Sequence, residues 1–390
     1  MIPYGRHHIE EDDIQAVVDL LRNGPLTQGP MVDAFEAAVT EYTGAKHAVA
    51  VASCTAGLHL AAEAVGMRPG RTLLTSPITF VASSNAGLYT GGAVGFADVD
   101  PDTVNLSPAS LGEALERHPD THVVSPVHFG GLPCDMPAIK TAADRAGAVV
   151  IEDAAHALGA NLPSGERVGS CSHSLMTVFS LHPVKLIAAG EGGVITTNDT
   201  DLYRRLLRLR SHGINKLDDP FQLPEQSMTG DLTNPWYNEV QELGYHYRIT
   251  DIQCALALSQ FNKIDRFIAR RRELALAYDA TFADDELIRP AQPEGRERSG
   301  LHIYVVRIDF EKAGVTRAQV MHRMRERGIF TQVHYIPVPV HPFYRKLGFN
   351  PNDFPMAKKY YEEALTIPLY YSLTDEEQSF IVESLRESLR

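Results

Sequence analysis

The chain has 390 residues, 44% of them hydrophobic and 22% charged, which is ordinary for a globular protein and long enough for a large α/β domain with a smaller one beside it. A formal charge of −13 opposes non-specific binding to nucleic acid or to an anionic membrane, since both need a cationic face. No run of about 20 apolar residues occurs, and Met1 to His8 lack the apolar stretch of a signal peptide, so the expected location is the cytoplasm with no membrane partner.

Seven short runs rich in β-branched residues, at 47–52, 71–75, 93–97, 122–127, 148–152, 175–180 and 193–197, read as strands. Patterns of helical period lie between most of them, as at 56–65 and 136–143. Strands alternating with helices predict a largely parallel sheet covered on both faces, with its ligands at the carboxyl ends of the strands. The stretch 214–238 has little periodicity and reads as a long loop, more often functional than idle. From Arg248 a helical pattern runs to Glu273 as one helix or two, followed by a strand at 302–308 and helices at 316–327 and 375–388. This divides the chain into a large domain, 1–250, and a connecting helix with a smaller α+β domain, 251–390. Cys54, Cys134, Cys171 and Cys254 lie far apart and are expected to be reduced.

Chemistry-bearing residues fall at the predicted strand ends. Ser53-Cys54-Thr55 stands between a strand and a helix, where free N–H groups and the helix dipole favour a phosphate. Phe80 sits where an aromatic face could cover a flat ring, with a core role as the competing reading. Asp153 ends the apolar strand 148–152, either as a helix cap or as a functional carboxylate, and His156 either flanks it or belongs to the core. Ser180 ends the next strand, and Lys185 follows in His182-Pro183-Val184-Lys185, ahead of Gly190-Glu191-Gly192-Gly193. Asp153 and Lys185 are 32 residues apart, room for one connection and one strand. An acid ending one strand and a lysine following the next are the two ends that pyridoxal 5'-phosphate requires. The carboxylate keeps the pyridine nitrogen protonated so that the ring accepts electrons, and the lysine amine holds the aldehyde.

Two other patterns lead nowhere. Tyr42-x-x-x-Lys46 matches a short-chain dehydrogenase pair, but no glycine-rich dinucleotide turn precedes it. The 16 histidines show none of the i, i+4 or Cys/His spacings of a metal site, so no metal is expected.

Taken together, the stretches Leu26 to Pro30, Ser53 to Ala61, Pro77 to Ala82, Ile151 to His156, Phe179 to Lys185, Gly190 to Gly193, Arg210 to Gly213, Gly244 to Asp251 and Val333 to Tyr335 resemble the DegT/StrS-type family of nucleotide-sugar aminotransferases. The resemblance covers almost the whole chain. It implies the fold-type I architecture of pyridoxal-phosphate enzymes and a homodimer whose subunits share each active site. It makes Lys185 the catalytic, cofactor-bearing lysine, Asp153 the ring-nitrogen partner, Phe80 the stacking aromatic, and Cys54, Thr55 and Ser180 the phosphate cradle. The substrates implied are L-glutamate and a nucleotide-linked 4-keto sugar. His182-Pro183-Val184-Lys185, the run 126–136 and Trp236-Tyr237 resemble the branch that makes the 4-amino-4,6-dideoxy-altrosamine precursor of pseudaminic acid. The rivals are an aminotransferase of the perosamine or bacillosamine type, a sugar dehydratase, which would carry histidine at 185, and a non-catalytic cofactor-binding regulator.

Candidate sugar contacts are His182, Tyr237, His334 and Tyr335, each with a structural reading beside the functional one. The chain departs from the family at His246, where an asparagine usually reaches the neighbouring subunit's phosphate. A histidine there still offers an N–H. It departs again at Ala188-Ala189, usually two threonines, and at Leu181, more often phenylalanine.

Overall fold

In the computed structural model, which describes residues 1–215 and 219–390, all seven predicted runs form one sheet. The strands are β1 (His47–Val51), β2 (Thr72–Thr75), β3 (Ala93–Phe96), β4 (Thr121–Ser125), β5 (Val149–Asp153), β6 (Met176–Ser180) and β7 (Gly193–Thr197). Their order is β1-β7-β6-β5-β4-β2-β3. The pairs between β6 and β3 are parallel, and β7 runs antiparallel to both its neighbours. A parallel return would need a crossover element. The β6–β7 connection is instead a loop that carries Lys185, so β7 runs back alongside β6.

Helices cover the sheet in the order the periodicity predicts. They are α1 (Glu11–Asn23), α2 (Pro30–Thr43), α3 (Cys54–Ala64), α4 (Ala82–Tyr89), α5 (Pro108–Arg117), α6 (Met136–Arg145) and α7 (Thr200–Arg210). Local signals fix their ends. Pro30 opens α2 and Gly44 closes it in the left-handed region at φ 78°, while the Ser107 and Asp135 side chains cap α5 and α6. One apolar cluster on the sheet includes Phe35, Val39, Val124, Val150 and Phe179, and another includes Val49, Leu60, Leu73, Val123 and Val178. Both faces of the sheet are therefore buried, which is why its strands read as unbroken apolar runs.

The helical pattern after Arg248 resolves into two helices, Asp251–Phe261 and Ile264–Phe282. The first is opened by a capping box between Thr250 and Gln253. The second passes from one core to the next, with Ile268 packed under the large sheet and Leu274, Tyr278 and Phe282 in a separate cluster. That cluster surrounds a three-stranded antiparallel sheet of Ile288–Pro290, Tyr304–Ile308 and Ala364–Ile367, flanked by the predicted helices Arg317–Glu326 and Asp375–Ser388. The chain start joins it, since Ile2 bridges to Ile329 and is buried there.

Of the loop expected over 214–238, positions 216–218 lie outside the described residues. The remainder contains a helical turn, Pro224–Ser227, and a small hairpin of Met228–Thr229 with Leu232–Thr233. No helix among the described residues is long and apolar enough to cross a membrane.

Candidate active site

Asp153 and Ser180 end β5 and β6, Cys54 and Thr55 follow β1, Phe80 follows β2, and Gly193 begins the reversed strand β7, so one edge of the sheet collects these residues. Successive residues of a strand point to opposite faces, which separates Asp153 from its neighbour Glu152. Glu152 accepts hydrogen bonds from His128 at 2.6 Å, from Thr177 at 3.0 Å and from Ser174. Burial alone would raise its pKa, but these three donors outweigh it and hold the carboxyl below its ordinary range.

Asp153 is 4% exposed. Its Oδ2 accepts from the Ser83 hydroxyl at 2.5 Å and its Oδ1 from the Ala155 N–H at 3.1 Å, so the local turn expected of a capping Asp is present together with a second donor from α4. Ser83 is in turn bonded to Thr79 at 2.7 Å. The sequence reading gave Ser83 no role. Nothing local to it points to a strand end, and only the fold brings α4 against the end of β5.

Lys185 is half-buried in the β6–β7 loop, its backbone N–H donating to the His182 carbonyl at 2.8 Å. Burial of the amine lowers its pKa to about 8, against the opposing pull of Cys54 and Asp153. Beside it is a group of neutral rings. His156 Nδ1 accepts from the Gly130 N–H at 3.3 Å, which leaves Nε2 to carry the proton it shares with the Tyr335 hydroxyl at 2.9 Å. Burial, then the charge of Lys185, pushes His156 well below the usual imidazole pKa. His334 is bonded through Nδ1 to Thr366 at 2.9 Å, and burial, then Lys185, lowers it to about 3. His302 completes the group, with Nε2 3.4 Å from Lys185 Nζ.

The end expected to take a phosphate is built by α3. The Ser53 hydroxyl, not Thr55, caps the helix by accepting the Ala56 N–H at 3.1 Å. The Cys54 and Thr55 N–H groups, at the start of the helix, have no partner within it. Gly193 approaches this end so closely that a Cβ there would lie 2.7 Å from the Cys54 nitrogen. Ser180 accepts the His182 N–H at 3.4 Å. Phe80 is 59% exposed, its ring 6.5 Å from that of Tyr335.

Among the described residues, three predicted positions pack away from these groups. Tyr237 donates to Glu239 at 3.0 Å and lies against Phe221 in the long loop. His246 is exposed, with its ring 5.1 Å from that of His212. The His182 side chain is exposed and accepts only the Val184 N–H, at 3.5 Å.

Residues 7–386 match the profile of the DegT/DnrJ/EryC1/StrS aminotransferase family. The chain belongs to that family. It is 39% identical over 393 residues to the spore coat polysaccharide biosynthesis protein SpsC of Bacillus subtilis, covering 100% of this chain and 97% of that one. It is 33% identical over 386 residues to the UDP-4-amino-4,6-dideoxy-N-acetyl-β-L-altrosamine transaminase of Campylobacter jejuni, covering 99% and 96%. The fold superposes on Helicobacter pylori PseC, an aminotransferase of pseudaminic acid biosynthesis, with TM-score 0.90 at 27% identity over 100% and 99% of the two chains. The Streptococcus pneumoniae protein Spr1654, solved in its PLP form, gives TM-score 0.88 at 27% identity over 100% and 98%.

The family member described here is thus a pyridoxal-phosphate-dependent sugar aminotransferase of fold type I. Its donor set fits the cofactor: a lysine amine of lowered basicity, a fixed carboxylate, an exposed aromatic ring, and a helix N-terminus that a single added Cβ would obstruct.

Proposed function

We propose that the protein moves the amino group of L-glutamate to C4 of UDP-4-keto-6-deoxy-N-acetyl-β-L-altrosamine, with Lys185 and Asp153 as the reacting pair. The observation that carries the site assignment is the meeting, at one edge of the sheet, of the partly buried Lys185, the Asp153 carboxylate fixed by Ser83 and the N-terminus of α3, with burial lowering the lysine to about 8. The altrosamine substrate is supported by the transaminase from Campylobacter and by PseC, whose match spans nearly the full length of both chains.

When bound, pyridoxal 5'-phosphate supplies the aldehyde that carries the amino group and the ring that takes up the electron pair of the broken C–H bond. Asp153, fixed by Ser83 and the Ala155 N–H, is placed to hold the proton on the ring nitrogen. Phe80, exposed beside Tyr335, would offer its face to the ring. The N–H groups of Cys54 and Thr55, with the hydroxyls of Thr55 and Ser180, would hold the phosphate. Lys185 Nζ takes the proton from Cα of glutamate, and in the second half-reaction it returns one to C4 of the sugar.

His334 and Tyr335 line the same place from the smaller sheet's side and are the proposed sugar contacts, while His182, exposed on the loop that carries Lys185, is proposed to reach the sugar only once it is bound. Tyr237 and His246 act in a homodimer, where each subunit supplies them to the site of the other.

A panel of UDP-, GDP- and dTDP-linked 4-keto sugars with glutamate, scored by mass for the amino product, tests the reading. The UDP-altrosamine ketone is expected to react fastest. Preference for another ketone would retain the aminotransferase and overturn the sugar, and amination of none would overturn both.

A further inference from the structure

His302 is built into the site with unusual care for a residue outside it in sequence. It leads into the strand Tyr304–Ile308 of the smaller sheet, yet its side chain reaches the lysine of the large one. The segment carrying it threads past the β4–β5 connection. The Gly300 and His302 N–H groups donate to the Gly131 and Gly130 carbonyls, each at 3.0 Å, and a Cβ on Gly131 would come within 2.7 Å of the Leu301 nitrogen. From the other side Arg271, 2% exposed, donates through Nη1 to the carbonyls of Leu301, His302 and Leu369 at 3.2, 3.0 and 3.1 Å. A guanidinium so deeply buried is costly, and here it is spent on backbone carbonyls of the segment that ends at His302.

The ring faces Lys185, His156, His334 and Arg271. Burial first, then the charge of Lys185, pushes its pKa well below the usual imidazole value, so the ring is neutral. Its Nδ1 is buried without a hydrogen-bond partner among the described residues, so Lys185 Nζ, 3.4 Å from Nε2, is the one polar contact recorded for the ring nitrogens.

We propose that His302 is the positioning residue of Lys185: its Nε2 hydrogen-bonds the amine whenever Nζ is free and aims it for proton transfer. The proposal rests on the reading of Lys185 as the catalytic lysine. A free lysine amine on a four-carbon stem has many rotamers, and holding it in one is the kind of orientation whose loss costs about 10²-fold.

The test is the half-reaction of the holoenzyme with glutamate alone, followed by the visible absorbance of the bound cofactor, for wild type, His302→Leu, His302→Gln and Lys185→Ala. Glutamine can place its amide near the position of Nε2 and is the conservative variant. His302→Leu should slow the half-reaction about 100-fold, keep the half-saturating glutamate within about threefold, and raise the isotope effect of Cα-deuterated glutamate. His302→Gln should recover to within about tenfold of wild type. Equal loss in both variants, an unchanged rate in His302→Leu, or a loss that only follows cofactor content or thermal unfolding would overturn the role. Turnover by Lys185→Ala at the wild-type rate would instead overturn the assignment of the lysine, whatever His302 does.

Discussion

A lysine is a poor nucleophile near neutrality because its amine is protonated, and burial is what changes that for Lys185. Its pKa of about 8 means that the neutral amine accumulates as pH rises through that value and is scarce below it. Capture of added cofactor by the cofactor-free protein should therefore speed up between about pH 7 and 9 and then level off, as read by stopped-flow absorbance. A rate independent of pH in that window would contradict the burial argument. Ser83→Ala removes the 2.5 Å bond to Asp153 but leaves the Ala155 N–H in place. A hydrogen bond to a charged group contributes about 1.5–3 kcal/mol, so kcat is expected to fall roughly tenfold to a hundredfold while cofactor remains bound. Asp153 and Lys185 were legible in the sequence because each ends or follows an apolar run. Ser83 and His302 were not, since nothing in their local pattern says which strand end they will meet.

The elements matter through how closely they approach. Gly193 lets the start of β7 lie against the N-terminus of α3, and a methyl group at that position would press on backbone atoms of Cys54 that cannot step aside. Gly193→Ala should lose cofactor on dialysis far more readily than wild type, with the fold retained by circular dichroism. On the far side of β1, Arg210 from α7 donates to Glu36 of α2 and to the Ala50 carbonyl, both at 2.7 Å, and the Ala50 N–H also donates to Glu36 at 2.8 Å. Removing the guanidinium strands a buried carboxylate. Arg210→Met is expected to cost about 3–5 kcal/mol in urea unfolding, far more than loss of the exposed Lys140–Asp144 pair would. Strand positions and most helices could be read from periodicity, because each element buries a continuous face. The break between Phe261 and Ile264 could not, since both helices share one apolar pattern and the residues on either side of the break are buried in the same core.

At the scale of the whole molecule the smaller sheet borders the groups around Lys185. His334 and Tyr335 lie in the loop after Gln332, which bridges to Thr366 of that sheet, His334 itself bonds Thr366, and Arg271 on the connecting helix holds the segment at His302 close by. In the proposed homodimer the exposed His246 works in the partner's site, so two proteins each defective in a different subunit contribution should complement. Lys185→Ala and His246→Ala, unfolded together and refolded as a mixture, are expected to recover activity that neither has alone, while sedimentation reports a dimer throughout. Failure of the mixture to exceed its parts would remove His246 from a shared site. His246→Asn should be close to wild type, because asparagine also presents an N–H donor.

The sequence by itself determined the alternating architecture, the seven strands and the lysine and aspartate beyond or at their ends, because burial of both faces of a parallel sheet leaves unbroken apolar runs between stretches of helical period, and chemistry collects at carboxyl ends. The tertiary structure alone decided the surroundings of that pair. Ser83 reaches Asp153 and His302 reaches Lys185 across 70 and 117 residues, distances over which no local pattern carries information and only the packing of helices and a second sheet brings the groups together.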